Sequence, residues 1–160
     1  MTFLRKNPYL ALGIALLLIG GLFVGATYLP REVSDTPTAV SDMTYAYEGG
    51  MKFEIADTPA KQTKGLSGRM EIPDDYGMLF VFPEPVQTGF WMKDMYLSID
   101  IIWLTDKGEI VGIEHRVSPE TYPNVFYPSV PVTHVLETKA GYAKEKGWKV
   151  GTSIYLPNLE

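Results

Sequence analysis

The chain has 160 residues, of which 46% are hydrophobic, 14 are basic, 19 are acidic and none is cysteine. This length fits one globular domain with an appendage, and the lack of cysteine excludes disulfides, thiol catalysis and thiolate metal sites. Residues 30–160 hold 12 of the basic and all 19 acidic residues, a formal charge of −7. Because phosphate binding requires clustered lysine and arginine, this charge argues against nucleic acid as a partner.

A membrane-spanning helix is predicted over residues 9–29, after a cytoplasmic N-terminus of residues 1–8. The run YLALGIALLLIGGLFVGATYL is uncharged and long enough to cross about 30 Å of hydrocarbon. Arg5 and Lys6 precede it, which predicts an extracytoplasmic C-terminal domain because basic residues stay on the cytoplasmic side. The alternative is a signal peptide cleaved at the small residues 24–26, which makes the domain secreted or periplasmic.

A linker and one domain are predicted beyond this segment. Residues 30–42, PREVSDTPTAVSD, are rich in Pro, Ser, Thr and Asp and show no apolar period, which is typical of a linker. Residues 43–160 hold all three tryptophans, and their number is usual for a single domain. The N-terminal helix is thus predicted to tether this domain to the membrane.

The domain is expected to begin with a strand at residues 45–55, followed by a short helix. In TPAKQTKGL, Thr58 fits the N-cap position and Pro59 fits the first helical position, as helix starts prefer. Gly65 and Gly68 are expected to end this helix.

Further strands are predicted at residues 77–82 and 88–91, the second continuing toward residue 95. The strongest signal is a hairpin, in which SIDIIWL (98–104) and EIVGIEH (109–115) flank a turn that contains Gly108. Alternation along the first hairpin strand places two sets of side chains on opposite faces of the sheet: Ile99, Ile101 and Trp103 on one, and Asp100, Ile102 and Leu104 on the other.

Residues 120–131, ETYPNVFYPSVP, alternate aromatic residues with prolines and are therefore excluded from a central strand. Two interpretations stay open for Tyr122, Phe126 and Tyr127. Their rings either cover one end of the fold in an irregular loop or form a stacking wall for a sugar or a peptide.

The C-terminal part is expected to contain strands at residues 133–137 and 152–156 around a second helix. In TKAGYAKEKG, Thr138 is predicted to cap this helix and Gly147 to follow its lysine-containing last turn. Six or seven strands, few helices and no strand–helix alternation predict an α+β fold that is mostly antiparallel β. The expected architecture is a compact barrel-like or sandwich domain with two short helices, preceded by the N-terminal transmembrane helix.

Three sequence blocks occur in an order that points to a known family. They are DTPAKQTKGLSGR, GMLFVFPEP…GFWMKDMYLSIDIIWLTDKGEIVGI and PSVPVTHVLETKAGYAKEKGWKVGTSI. Over about residues 52–156, the chain resembles the DUF192 family, also called UPF0127, which implies a compact β-rich fold without an assigned activity. Carried over position by position, the resemblance points to Arg69, Gly77–Phe80, Phe90–Lys93, Asp100, Glu137 and Gly141. The chain departs from the family pattern at Asp94, Met95 and Ser98, where Asn, Thr and Pro are usual.

The run GFWMKDMYLSIDIIWL, residues 89–104, places charged residues within a strand-like pattern. Asp100 lies between apolar neighbours on its face, and an unpaired buried carboxylate is costly, so Arg69 or Lys93 is expected to pair with it. Together with Asp94, these residues form either an internal salt bridge or a polar cluster with shifted pKa values that binds or acts on a polar substrate. Lys93 and Asp94 are expected at an exposed bend that faces the ligand.

No metal and no cofactor is predicted. Met92 and Met95 carry thioethers, which favour Cu(I), but Met92 is better explained as a core residue. His115 and His134 are the only histidines, and lone histidines on strand-like segments are expected to be structural or exposed. The sequence contains neither a G-x-S-x-G elbow nor a glycine-rich phosphate loop.

The leading functional hypothesis is a membrane-tethered, extracytoplasmic binding or accessory module of the cell envelope. Its ligand, an unidentified small molecule, sugar or peptide, is expected at the 89–95 run and the 120–131 loop. The alternatives are an enzyme that acts on an envelope-associated polar substrate by acid/base chemistry, with no catalytic residue assigned, and a purely structural interaction domain. The candidate ligand contacts are Arg69, Trp91, Lys93, Asp94, Asp100, Tyr122 and Tyr127.

Overall fold

A computed structural model of the chain describes residues 44–158. The predicted membrane helix at residues 9–29 and the predicted linker at residues 30–42 lie outside the described residues. Within residues 44–158, no helix has the length and hydrophobicity that crossing a bilayer requires.

The described residues form eight strands, two short α-helices and one 3-10 turn. In chain order these are β1 (Thr44–Glu48), β2 (Met51–Ala56), α1 (Pro59–Lys64), β3 (Tyr76–Val86), β4 (Phe90–Trp91), β5 (Ile99–Leu104), β6 (Ile110–Val117), the 3-10 turn (Pro119–Thr121), β7 (Val125–Phe126), β8 (Val132–Lys139) and α2 (Tyr142–Glu145).

Six of these strands make one open sheet in the order β1-β2-β3-β8-β5-β6, and β4 pairs separately with β7. The β2–β3 pair is parallel because α1 crosses over between the two strands. The other pairs are antiparallel. The prediction of a mostly antiparallel α+β fold with two short helices is therefore confirmed. Of the two expected architectures, barrel-like or sandwich, the described residues form no closed barrel.

Each face of the open sheet carries its own hydrophobic core. We call them the α1 face, which carries Leu66 just after α1, and the α2 face, which carries Tyr142 of α2. The alternation predicted for β5 is confirmed by the two hydrophobic cores. The α1 face buries Ile99, Ile101 and Trp103, and the α2 face buries Ile102 and Leu104.

The two helices differ in how well their starts were predicted. Thr58 caps α1 through its side chain, Pro59 occupies the first turn and Gly65 ends the helix, as expected. Thr138 is instead part of β8, so its predicted role as a cap is wrong. The second helix starts after Gly141, whose φ of 90° lies in the left-handed region that favours glycine.

Two strand predictions also need correction. Residues 45–55 form two strands rather than one, because Gly49 and Gly50 turn the chain with φ values of 59° and 81°. Residues 152–156 form no regular strand, and Ser153 makes a single isolated bridge with Glu109. This segment approaches the hairpin turn so closely that a Cβ on Gly108 would clash with the Ile154 carbonyl oxygen.

Candidate functional site

Arg69 pairs with Glu54 and Tyr76 rather than with Asp100. Its Nη2 atom lies 2.7 Å from both Glu54 carboxylate oxygens, and its Nη1 atom donates to the Tyr76 hydroxyl at 2.8 Å. The Tyr76 hydroxyl in turn donates to Glu54. Burial, together with this bond, raises the pKa of Tyr76. The expected Arg69–Asp100 pair is therefore wrong, and Arg69 instead neutralises the buried Glu54 carboxylate.

Asp100 is fully buried on the α2 face, where three backbone N–H groups donate to its carboxylate. Its Oδ1 atom accepts from Arg116 at 2.8 Å and from Gly141 at 2.9 Å, and its Oδ2 atom accepts from Ala143 at 3.0 Å. Backbone donors thus take the place of the cation, Arg69 or Lys93, that was expected here. These bonds hold Arg116 at a left-handed φ of 54° and fix the start of α2.

Lys93 and Asp94 form a turn after β4, and both residues are exposed. Asp94 has a φ of 56°, a left-handed conformation that Asp and Asn adopt more readily than other residues with a side chain. This shared tolerance explains why Asp stands where the family usually has Asn. The turn is held through its backbone, because Gly68 N–H donates to the Asp94 carbonyl at 2.8 Å and the Ser67 hydroxyl donates to the Lys93 carbonyl at 2.9 Å.

The 89–95 run and the 120–131 loop come together because β4 pairs with β7, with Trp91 opposite Val125. Gly89 allows this close contact, since a Cβ on it would clash with Val125 and with the Tyr127 ring. A larger residue would force the two segments apart. The two regions expected to share a ligand are therefore neighbours.

Three of the candidate residues present their aromatic rings to solvent. Trp91 is 52% exposed, Tyr122 is 49% exposed and Tyr127 is 59% exposed. Phe90 and Met92, on either side of Trp91, are buried, as the alternation of an extended segment predicts. Trp91 is therefore a surface residue rather than part of the core.

A cleft of about 370 Å³ lies between α1 and the segment around β4, a size within the range of small-molecule sites. Of the candidate contacts, only Trp91 lines this cleft. Arg69 lines a second cleft beside the residues that follow α1, and Asp100 lies on the other face of the sheet. The walls of the first cleft are mainly apolar, formed by Phe80, Phe82, Phe90, Trp91 and Met95.

Glu137 lies at the base of this cleft, on the inner strand β8. Its register partners on either side are Met78 and Ile101. Burial raises the pKa of Glu137 to about 8, and the charge of Arg69 offsets part of this rise. Among residues 44–158, no group hydrogen-bonds to its carboxyl, whose Oε2 atom lies 3.8 Å from the point where a Cβ on Gly65 would sit. The carboxyl therefore faces the cleft as an unpartnered polar group.

The histidines stand apart from this cleft. His115 is exposed, and His134 is half-buried with its Nδ1 atom 3.0 Å from the Thr133 hydroxyl. Burial lowers the pKa of His134. In the part of the chain that the structure describes, no three His, Asp or Glu side chains are close enough together to hold a metal ion.

Sequence reasoning missed Glu137 and Glu54 as candidate contacts. The resemblance pointed to Glu137, but only as a family position. The available signal was that Glu137 shares a face of the predicted strand 133–137 with Val135, a core residue. Glu54 likewise occupies a buried position within the predicted strand 45–55. A charged residue at a core-facing position of a strand was therefore the signal for both.

The fold and the cleft define a class of domain: an open α+β sheet with one acidic group at the base of an apolar cleft. The chain belongs to the DUF192 family, whose model, described as "Uncharacterized ACR", matches residues 43–156. The family resemblance of the sequence blocks is thus confirmed. No curated protein matches the chain.

Two solved structures are similar to the chain, each with a TM-score of 0.62. One is a protein from Sinorhizobium meliloti 1021, provisionally described as a transcription regulator. It is 32% identical, and the match covers 64% of this chain and 79% of that protein. The other is a protein of unknown function from Novosphingobium aromaticivorans DSM 12444. It is 26% identical, and the match covers 74% of this chain and 97% of that protein.

Proposed function

We propose that the chain is a membrane-tethered, extracytoplasmic binding module of the cell envelope, whose ligand, a small molecule, sugar or peptide, occupies the cleft above Glu137. One observation carries this proposal: a buried carboxyl, without a hydrogen-bond partner in the described residues, lies at the base of an aromatic cleft. The carboxyl oxygens open into this apolar cleft, where they are poorly solvated, so a ligand that supplies a hydrogen-bond donor or a positive charge gains free energy there.

Binding is favoured over catalysis because the four charged candidates do not meet. Arg69 belongs to a structural ion pair, Asp100 is bound to backbone groups on the α2 face, and Lys93 and Asp94 lie on an exposed turn. Acid/base catalysis requires a proton donor or acceptor positioned at the reacting group. Glu137 lies in the cleft without a hydrogen bond to a second ionisable side chain of residues 44–158.

The tether is supported by the sequence of the first 42 residues. The uncharged run at residues 9–29 is long enough to span a bilayer, and Arg5 and Lys6 on its N-terminal side favour export of the C-terminal domain. The linker at residues 30–42 then joins the anchor to the domain.

A role in transcription, the description attached to the Sinorhizobium protein, is not favoured for this chain. Residues 30–160 carry a formal charge of −7. Contact with DNA phosphates requires clustered positive charge, whereas the net charge of these residues is negative.

A thermal-shift screen of the full-length chain against envelope sugars, peptides and small molecules tests the proposal. A ligand that binds the native state at 100 times its Kd stabilises it by about 2.7 kcal/mol. Thr63 is exposed and lines the cleft, so Thr63→Trp fills the cleft without altering the core, whereas Thr63→Ser leaves it open. We expect ligand stabilisation to disappear in the first variant and to persist in the second. Stabilisation that survives Thr63→Trp would place the ligand elsewhere and contradict the proposal.

A further inference from the structure

The cleft combines aromatic rings with one carboxyl, a pairing that suits a positively charged ligand. Phe80 and Phe90 pack edge to face with ring centroids 5.0 Å apart, and Phe82 and Trp91 complete the aromatic lining. Aromatic faces attract a desolvated cation through the ring quadrupole. A carboxylate at the base adds a full negative charge, which apolar walls screen less than water does.

Two of the other polar side chains that line the cleft already bond to the protein, and Thr63 and Thr88 add only two further hydroxyls. The Gln62 amide donates to the carbonyl oxygens of Ala56 at 3.3 Å and Val81 at 2.9 Å. The Ser67 hydroxyl donates to the Lys93 carbonyl at 2.9 Å. A buried sugar presents several hydroxyls, each of which requires a partner. The cleft therefore suits one charged group on an apolar body better than a sugar.

Glu137 forms no ion pair with a lysine, arginine or histidine of residues 44–158. Glu54 and Arg69 are paired with each other, and Lys139 is paired with Asp74. Lys64 lines the cleft, but its Nζ atom lies 3.5 Å from the point where a Cβ on Gly68 would sit, beside the second cleft. Charged residues on the same face as Glu137 include Lys52 and Glu54 of β2, Glu114 of β6 and Lys139 of β8, together with Lys64 and Arg69 in and after α1.

We infer that the cleft binds an organic cation, an amine or quaternary ammonium, whose charge meets the Glu137 carboxylate and whose apolar body lies against Phe82, Phe90 and Trp91. This inference rests on the proposed binding function, since it names the ligand class of the same cleft. The inference also predicts that binding of the cation releases a proton, which binding of a neutral ligand does not.

The proton balance follows from the protonation of Glu137. Burial holds its pKa at about 8, so the carboxyl is mostly protonated at pH 7. A cation that requires the ionised carboxylate therefore releases about 0.9 proton on binding at pH 7. Its association constant rises about 50-fold between pH 6 and pH 8, because the ionised fraction rises by that factor.

Isothermal titration calorimetry of the full-length chain tests this inference with benzyltrimethylammonium, which has no proton to lose, and with benzyl alcohol as a neutral match. Titrations in two buffers of different ionisation enthalpy count the protons released. We expect the cation to show this proton release and this pH dependence, and benzyl alcohol to bind about tenfold more weakly. Glu137→Gln should abolish the proton release and weaken cation binding. The matched variant Glu114→Gln, two strands away, should leave both unchanged.

Cation binding without proton release, or equal binding of the two compounds, would overturn the cation class and leave the cleft as the binding site. Failure of both compounds to bind would also overturn the cation class, while the proposed function is decided separately by the Thr63 variants. If Glu137→Gln does not fold, the proton count of the wild-type chain decides, because it requires no variant.

Discussion

Two buried carboxyl groups lie on neighbouring strands of the same sheet and face opposite sides of it. Asp100, on β5, accepts three backbone hydrogen bonds on the α2 face. Glu137, on β8, accepts none from the described residues and faces the cleft on the α1 face. Burial alone therefore does not separate a structural carboxylate from one available to a ligand. The partners of the group make that distinction.

The largest expected effect comes from Asp100→Ala, which tests the structural side of this comparison. Three backbone N–H groups lose their acceptor, and each buried donor without a partner costs about 1–3 kcal/mol. We expect the free energy of unfolding to fall by about 4 kcal/mol in denaturant titrations. The exposed turn residue Asp106 provides the control, since Asp106→Ala should change stability by less than about 0.5 kcal/mol. A loss below about 1 kcal/mol for Asp100→Ala would show that the backbone donors find other acceptors.

Glu137→Gln tests the other side of the comparison through the pH dependence of stability. The folded-state pKa of about 8 exceeds the ordinary value of 4.5, so between these values the folded chain keeps a proton that the unfolded chain has lost. Wild-type stability therefore falls as the pH rises through this window, by up to about 1.4 kcal/mol per pH unit. The variant lacks this dependence, so the two proteins should diverge by about 2.5 kcal/mol between pH 5 and pH 7.

Denaturant titrations of the wild type and Glu137→Gln across this pH range measure the divergence. Parallel curves would contradict a buried, unpartnered Glu137. A wild type that gains stability toward pH 7 relative to the variant would mean that the carboxylate has a stabilising partner.

The placement of the two carboxyls on opposite faces was partly predictable from local sequence. Alternation in SIDIIWL places Asp100 on the face opposite to Ile101, as observed. The start of α1 was predictable for the same reason, because Thr58 and Pro59 act on residues within one helical turn. These two features depend on near neighbours in the sequence and were predicted correctly, whereas the helix cap at Thr138 and the single strand at residues 45–55, also predicted from near neighbours, were not.

The partners of the two carboxyls were not predictable, because they depend on distant segments. Gly141 and Ala143, which donate to Asp100, lie 41 and 43 residues further along the chain. The charge of Asp100 predicts a cation as its partner. Backbone N–H groups at the start of a four-residue helix leave no such signal in the sequence. The exposure of Glu137 to a cleft likewise depends on how α1 and β4 pack over β8, which alternation alone does not specify.

Arg69→Ala sharpens the comparison with a third carboxylate, Glu54, which is buried but has a cation. Removal of the Arg69 guanidinium leaves Tyr76 as the remaining partner of Glu54. Hydrogen bonds to charged groups contribute about 1.5–3 kcal/mol. We expect a loss of about 2 kcal/mol in denaturant unfolding. Arg69→Lys should lose less, since it keeps the charge but not the planar donor group. Unchanged stability in Arg69→Ala would show that Glu54, like Glu137, tolerates burial without a cation.

The smallest effects are expected at Asp94, an exposed carboxylate whose backbone, rather than its charge, has the structural role. Asp94 has a φ of 56°. Asp94→Ala should therefore destabilise the chain by about 1 kcal/mol, because alanine tolerates the left-handed region poorly. Asp94→Asn should be close to neutral, since asparagine adopts this conformation as readily as aspartate. Denaturant unfolding of the two variants separates the backbone from the charge. If Asp94→Asn lost as much stability as Asp94→Ala, the carboxylate itself would stabilise the turn, and Asp94 would then belong with Asp100 as a structural acceptor.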